Sequence, residues 1–346
     1  MRDHVTFALR VAACAAVVCL GLSTVAGAQS FENVYGPPDA VDAGARRVAP
    51  VTACPGAGFV AIGTTRAPGG TNDIYFVRTR VDGSRVWEFK YDVGPGGNDR
   101  GQALVEAKDR TGFVLGGTTN TGAAGEDLVL IKVNCDGQLK WAFRYFSPQG
   151  EMLTDLVEAQ TGDAAFGTTR GDILVAGMAA NPAGNRDGIL LRVRSDGAGL
   201  RWHRRYDLAG ASEAFYGLTE ARSSGGTTTG DVVGAGISTV GGTMQGYALR
   251  VNGKTGLFTA GDHVGALYMG PNQERLDSVI ELQTGGLAGD LVFIGSTYSA
   301  ATASDIYLLR TRPRPSVVAA QRQIGEPAGA PLGDEVALDG KEVRFR

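Results

Sequence analysis

The sequence predicts an all-β fold made of repeated four-stranded antiparallel units, and three observations predict it. A glycine closing a short apolar run recurs as Gly63, Gly117, Gly177, Gly236 and Gly295, at steps of 54, 60, 59 and 59 residues. A second run then opens at Asp73, Asp127, Asp187, Gln245 and Asp305, with a cation five residues on, at Arg78, Lys132, Arg192, Arg250 and Arg310. In four units an Asp-Gly or Asn-Gly dipeptide follows (Asp82-Gly83, Asp136-Gly137, Asp196-Gly197, Asn252-Gly253), and an aromatic comes soon after (Trp87, Trp141, Trp202, Phe258). Such a dipeptide between two strand-like runs is a hairpin signal. A repeat of this length with a recurring aromatic describes the blades of a β-propeller, whereas solenoid coils are shorter per turn and leave edges to protect.

Taken in order, Phe31-Glu32-Asn33-Val34-Tyr35-Gly36 resembles the fourth-strand segments Trp87–Tyr91 and Trp141–Tyr145 and reads as the last strand of a blade. Five units follow, over about 46–92, 102–146, 154–207, 215–264 and 276–324. Each has a leading run ahead of the glycine-closed one, as in Gln102–Glu106, Thr154–Glu158, Tyr216–Glu220 and Asp277–Glu281. Asp334–Leu338 and Glu342–Phe345 supply two further short runs. The economical arrangement is six blades, the last shared by the two termini. One strand is then missing from the closing blade, so five true blades is the alternative. The insertions Thr161–Gly171 and Arg222–Gly230 hold the candidate recognition loops.

Residues 1–28 read as a secretory signal peptide, with Arg2 and Arg10, an apolar Val11–Leu22 and the small-x-small end Ala26-Gly27-Ala28. Residues 29–346 are then one propeller domain, exported to the periplasm or the exterior. A lipoprotein box at Cys14 is rejected because Arg10 leaves no apolar core ahead of it. No membrane span is expected, since the leader's core falls short of about 20 residues. The formal charge of -3 carries no basic face for nucleic acid. Cys54 and Cys135 remain after the leader is removed, in a compartment where disulfides persist. Antiparallel order puts them on one face of the propeller, yet one sits near the axis and the other far out, so a bridge and two free thiols are both open.

Centring the loops of each unit gives rows of facing residues: Glu106–Phe113–Lys132, Glu158–Ile173–Arg192, Glu220–Val232–Arg250 and Glu281–Leu291–Arg310. These predict an ion pair bridging the middle strand of each blade, with Thr52 in unit one leaving Arg78 to find another partner. A ring of carboxylates binding cations is the functional alternative. The Trp residues are assigned to core packing over a carbohydrate platform. Asn134-Cys135-Asp136-Gly137 lacks the distal carboxylates a calcium loop requires. His203 and His263 are the only histidines after the leader, each beside a fourth strand, and read as surface or seam residues. No catalytic, cofactor-binding or metal residues are assigned.

Gly58-Phe59-Val60-Ala61-Ile62-Gly63-Thr64, Asp73-Ile74-Tyr75-Phe76-Val77-Arg78 and Asp82-Gly83 leading to Trp87 resemble the repeats of secreted bacterial β-propeller proteins, the seven-bladed-propeller-type repeat group. The resemblance covers about 46–325 and implies a surface or periplasmic module. Asn252–Phe258 is also similar to the docking motif of quinoprotein-type propellers, but it occurs once and lacks the Trp, so no cofactor residue is transferred. The expected function is a non-catalytic, monomeric scaffold binding a protein or glycan. The alternative is a propeller enzyme, either a polysaccharide hydrolase or lyase or a quinoprotein-like oxidoreductase.

Overall fold

The computed structural model describes residues 32–37 and most of 42–324, with breaks at 67, 69, 95, 121–124, 209, 222–229, 259–263, 269–272, 284, 299–304 and 313–317. His263, most of the Arg222–Gly230 insertion and the two C-terminal runs lie outside the described residues. The chain forms five four-stranded sheets, each an antiparallel meander in chain order. Sheet one comprises Asp42–Val51, Gly58–Arg66, Asn72–Arg80 and Arg85–Tyr91. Sheet two comprises Asn98–Glu106, Phe113–Asn120, Asp127–Val133 and Leu139–Tyr145, and sheet three Glu151–Glu158, Ile173–Ala180, Arg186–Val193 and Leu200–Tyr206. Sheet four comprises Ser212–Ala221, Asp231–Val240, Thr243–Val251 and Val264–Tyr268, and sheet five Gln273–Glu281, Leu291–Tyr298, Asp305–Thr311 and Val318–Ile324. The five predicted units are therefore five sheets, in a propeller-like succession.

There is no single core. Each apolar cluster lies between two successive sheets, as where Val60, Ile62, Ile74 and Phe76 of sheet one meet Leu104, Phe113, Leu115, Val129, Ile131 and Val133 of sheet two. Leu128 and Leu130, alternating with those residues on the same strand, point the other way into the cluster shared with sheet three. This is why the third strands read as unbroken apolar runs: they are buried on both faces. The fourth strands alternate instead, as in Leu139–Tyr145, where exposed and half-buried positions take turns.

The recurrent glycine has a specific cause. In every sheet the first strand slips by one residue against the second, beside that glycine; in sheet two the slip falls between Gly101 and Ala103, opposite Gly117 and Gly116. The slip is a β-bulge, which bends the inner strand and drives its backbone toward the neighbour. A Cβ on Gly117 would collide with the carbonyl of Arg100, and the same holds for Gly63 on Gly44, Gly177 on Met152, Gly236 on Ala214 and Gly295 on Arg275. The hairpin after the third strand also carries its glycine for a reason: Gly83 sits at φ 79° while the Arg80 carbonyl accepts its N–H at 3.0 Å. In sheet four the left-handed residue is Gly256 at φ 68°, so that turn is longer and Gly253 is not its equivalent.

The observed register corrects the predicted rows. Glu106, Glu158, Glu220 and Glu281 do pair with Phe113, Ile173, Val232 and Leu291. The next partners are Val133, Val193, Val251 and Thr311, one residue beyond each cation. A slip of one residue moves a side chain to the opposite face. Carboxylate and cation therefore stand on different faces, and among the described residues none of these glutamates forms an ion pair with the cation of its own sheet. Residues 32–37 form no strand, although Asn33 and Tyr35 both donate hydrogen bonds to the carbonyl of Gly83.

Gly117→Ala should destabilise the fold by about 2–3 kcal/mol, because backbone rather than a flexible side chain would have to move. Gly44→Ala, whose new Cβ meets nothing within 4 Å, should cost about 0.5 kcal/mol or less. Urea denaturation of the two variants checks this.

Candidate functional site

The charged residues that repeat through the sequence converge on the seams between sheets. Glu106 at the end of its strand reaches back to sheet one, accepting from the N–H of Thr52 at 2.6 Å, Ala53 at 2.9 Å and Cys54 at 2.8 Å, and from the Thr52 hydroxyl at 2.7 Å. Burial would raise its carboxyl, but these donors outweigh that and hold it below the usual carboxylate range. Glu158 accepts from the N–H of Lys108 at 3.0 Å. Glu220 accepts from the N–H of Gln160 at 2.6 Å and from the N–H and hydroxyl of Thr161 at 3.1 and 2.7 Å. Each glutamate thus binds the first turn of the sheet before its own.

Arg78 and Arg192 work in the opposite sense, reaching the sheet after their own. Arg78 donates to Cys135 O at 2.8 Å in sheet two, and to Pro55 O and Gly56 O in its own first turn. Arg192 donates to Gly253 O in sheet four at 2.9 Å, to Thr161 O and Thr169 O, and pairs with buried Asp172 at 2.9 Å. Arg250 pairs with Asp231 at 2.9 Å and Arg310 with Asp290 at 3.5 Å. Asp172, Asp231 and Asp290 escaped the sequence reading, although each precedes its cation by 20, 19 and 20 residues. Gly58 and Gly112 hold the equivalent place in sheets one and two, where no such carboxylate exists.

Aromatics join the same seams. Trp87 and Trp202 donate their indole N–H to Cys135 O at 3.2 Å and Gly253 O at 3.0 Å, while Tyr91 and Tyr206 donate to Gly137 O at 2.6 Å and Gly256 O at 2.8 Å. Trp87 also packs edge-on to Phe113, with ring centres 6.3 Å apart. Cys54 and Cys135 are joined as a disulfide with a Cα separation of 5.6 Å, which resolves the open alternative and ties the first turn of sheet one to the last hairpin of sheet two. Both cysteines belong to the set that Glu106 and Arg78 already bring together. Asn134 spends its side-chain oxygen on the N–H groups of Asp136 at 3.1 Å and Gln138 at 2.8 Å, which is turn chemistry. His203 shares a 3.0 Å hydrogen bond with the Tyr145 hydroxyl, and burial, aided by Arg204 and Arg205, lowers its pKa.

The seam between sheets two and three differs. Lys132 replaces arginine there, is 7% exposed, and makes no hydrogen bond or ion pair among the described residues. A cavity of about 280 Å³ opens beside it, lined by Lys108, Asp109, Glu158, Arg170 and Ser195 over an apolar floor that includes Val105, Val114 and Ile173. Burial depresses the Lys132 ammonium, partly offset by Asp109 and Glu158.

Two acidic groups recur at the opposite ends of alternate seams. Asp73, Asp92 and Asp99 bring carboxylate oxygens within 4.8 Å of one another, as do Asp187, Asp207 and Glu213. Each supplies three ligand oxygens toward the six to eight that calcium takes. Lys90 pairs with Asp73 at 2.9 Å and Arg205 with Asp187 at 3.4 Å, while burial raises Asp99 and Glu213. The insertion after Glu158 forms a short turn, Ala164–Phe166, that leaves Phe166 exposed and is held by an ion pair of Asp163 with Lys254 at 2.6 Å.

No family model matches the chain, and no curated protein matches it significantly. Two crystal structures of Sqt1 from Chaetomium thermophilum are similar in part. One has a TM-score of 0.33 at 11% identity over 78% of this chain and 83% of that one, the other 0.30 at 10% over 78% and 84%.

Glu106→Ala should leave three backbone donors of the first turn without their acceptor and cost about 2–3 kcal/mol. The sign with pH follows from the depressed carboxyl: its contribution is present above the unfolded pKa and lost as pH falls through the folded value. The gap between wild type and Glu106→Ala in denaturant titrations should therefore close on acidification.

Proposed function

We propose that this is an exported, non-catalytic β-propeller that binds a protein or glycan through its loops, its ring closed by a sixth blade drawn from both termini. The observation that carries the scaffold reading is the employment of the repeat's own chemistry. Glu106, Glu220, Arg78, Arg192, Trp87 and Trp202, all members of its recurrent set, are engaged with backbone across the seams. That makes a stiff frame and leaves variation to insertions such as the one bearing Phe166.

Closure is supported by Tyr35. Its hydroxyl donates to Gly83 O as Tyr91 does to Gly137 O and Tyr206 to Gly256 O, which is the contact an outer strand preceding sheet one would make. Val48 and Phe59 of sheet one and Ile280, Ile294 and Ile306 of sheet five are exposed apolar residues on the two faces such a blade would cover. Residues 334–338 and 342–345 are the runs available to build it.

A polysaccharide-cleaving enzyme is the second reading, and the acidic groups around Asp99 and Glu213, both raised by burial, favour it. The mature chain, starting at Gln29 after cleavage at Ala28, should be recovered from the exported fraction. On a glycan array and in pull-downs from that fraction it should capture a saturable ligand without releasing reducing ends from polysaccharides. Turnover abolished by Asp99→Asn or Glu213→Gln would overturn the scaffold reading in favour of the enzyme.

A further inference from the structure

We propose that the cavity in the seam between sheets two and three binds a small organic carboxylate on the ammonium of Lys132. The comparison among seams carries this. Arg78 and Arg192 occupy the same place in their sheets, fill the gap and donate to carbonyls of the following sheet. Lys132 is shorter, has Gly112 in place of the aspartate that meets Arg192, and reaches no acceptor among the described residues. A cation more than nine-tenths buried, with no hydrogen bond or ion pair among the described residues and only partial compensation from Asp109 and Glu158, is costly, so an occupant of the cavity is favoured by negative charge.

The two acids nearby act on Lys132 through space but supply no direct hydrogen bond to it. Asp109 is turned to the N–H and hydroxyl of Thr111, at 2.9 and 2.7 Å, and Glu158 to the N–H of Lys108 at 3.0 Å. Lys108 and Arg170, exposed at the rim, have side chains with no hydrogen bond or ion pair among the described residues and face the same space. Three cations against two carboxylates leave the lining at +1, which balances a monoanion and opposes a dianion beside Glu158. The floor of Val105, Val114 and Ile173 suits a carbon body, and 280 Å³ holds a molecule of hexuronate size or smaller. The site stands whether or not the loops bind a partner and whether or not the ring closes.

Calorimetric titration of the mature chain with glucuronate, lactate, glucose and inorganic phosphate tests it. Glucuronate or lactate should bind saturably at millimolar concentration, phosphate at least about tenfold more weakly, and glucose not at all. Tighter binding of glucuronate than lactate assigns the carboxylate to a sugar acid, and the reverse to a free short acid. Lys132→Arg should fill the seam as Arg78 does, keep or raise the melting temperature, and weaken binding by about tenfold or more. Lys108→Ala and Arg170→Ala, on exposed residues, should weaken it by a smaller factor with the fold intact. Absence of saturable heat with both acids, phosphate binding as tightly as glucuronate, or unchanged affinity in Lys132→Arg would overturn the proposal.

Discussion

A sheet whose middle strands are apolar on both faces is stabilised by a neighbour on each side, and this constraint governs the molecule. Leu128 and Leu130 look toward one neighbour while Val129 and Ile131 look toward the other. Stability therefore resides in the seams and not in any single sheet, as in other repeat arrays. The bulge in each first strand serves the same end, since it bends the strand where successive sheets come closest. Among the described residues, sustained packing runs from sheet one to sheet five in order, and the outermost faces keep exposed Val48 and Ile294.

Polar chemistry is arranged around that constraint. Burying two sheet faces together leaves turn N–H and carbonyl groups at the seam edges without strand partners, and an unpaired buried backbone group costs about as much as a lost hydrogen bond. Glutamates satisfy the donors of the preceding turn, while arginine, tryptophan and tyrosine satisfy the acceptors of the following one. At the first seam a disulfide reinforces the same junction. At the second seam lysine replaces arginine and a cavity opens, so one substitution at a repeated position turns a structural contact into a place where something else can sit.

Much of the fold was legible from the chain because its signals are local. The Gly, Asp and cation positions recur with the sheet period, and turn residues fix where strands end. The seam contacts were not legible, for a reason visible in one register. Centring the loops of unit two put Lys132 opposite Phe113, whereas Val133 is its partner. That half-step in loop position moved the cation to the wrong face and suggested an ion pair inside the sheet. The true partners of Glu106 lie 52 to 54 residues away, across a seam that spacing alone does not reveal. The cavity was equally hidden, since a lysine among arginines reads as conservative until its reach is compared with theirs.

The proposed closure requires both end faces to be covered by the chain's own termini. Hydrogen exchange of the mature chain, read by mass spectrometry at peptide level, tests this most directly. The account predicts strong protection over 31–35, 334–338 and 342–345, comparable with the fourth strands of sheets two and three, and lost in all three together when the chain is truncated after Ile324. Rapid exchange of the C-terminal runs in the intact chain, with sheets one and five as protected as the others, would contradict it.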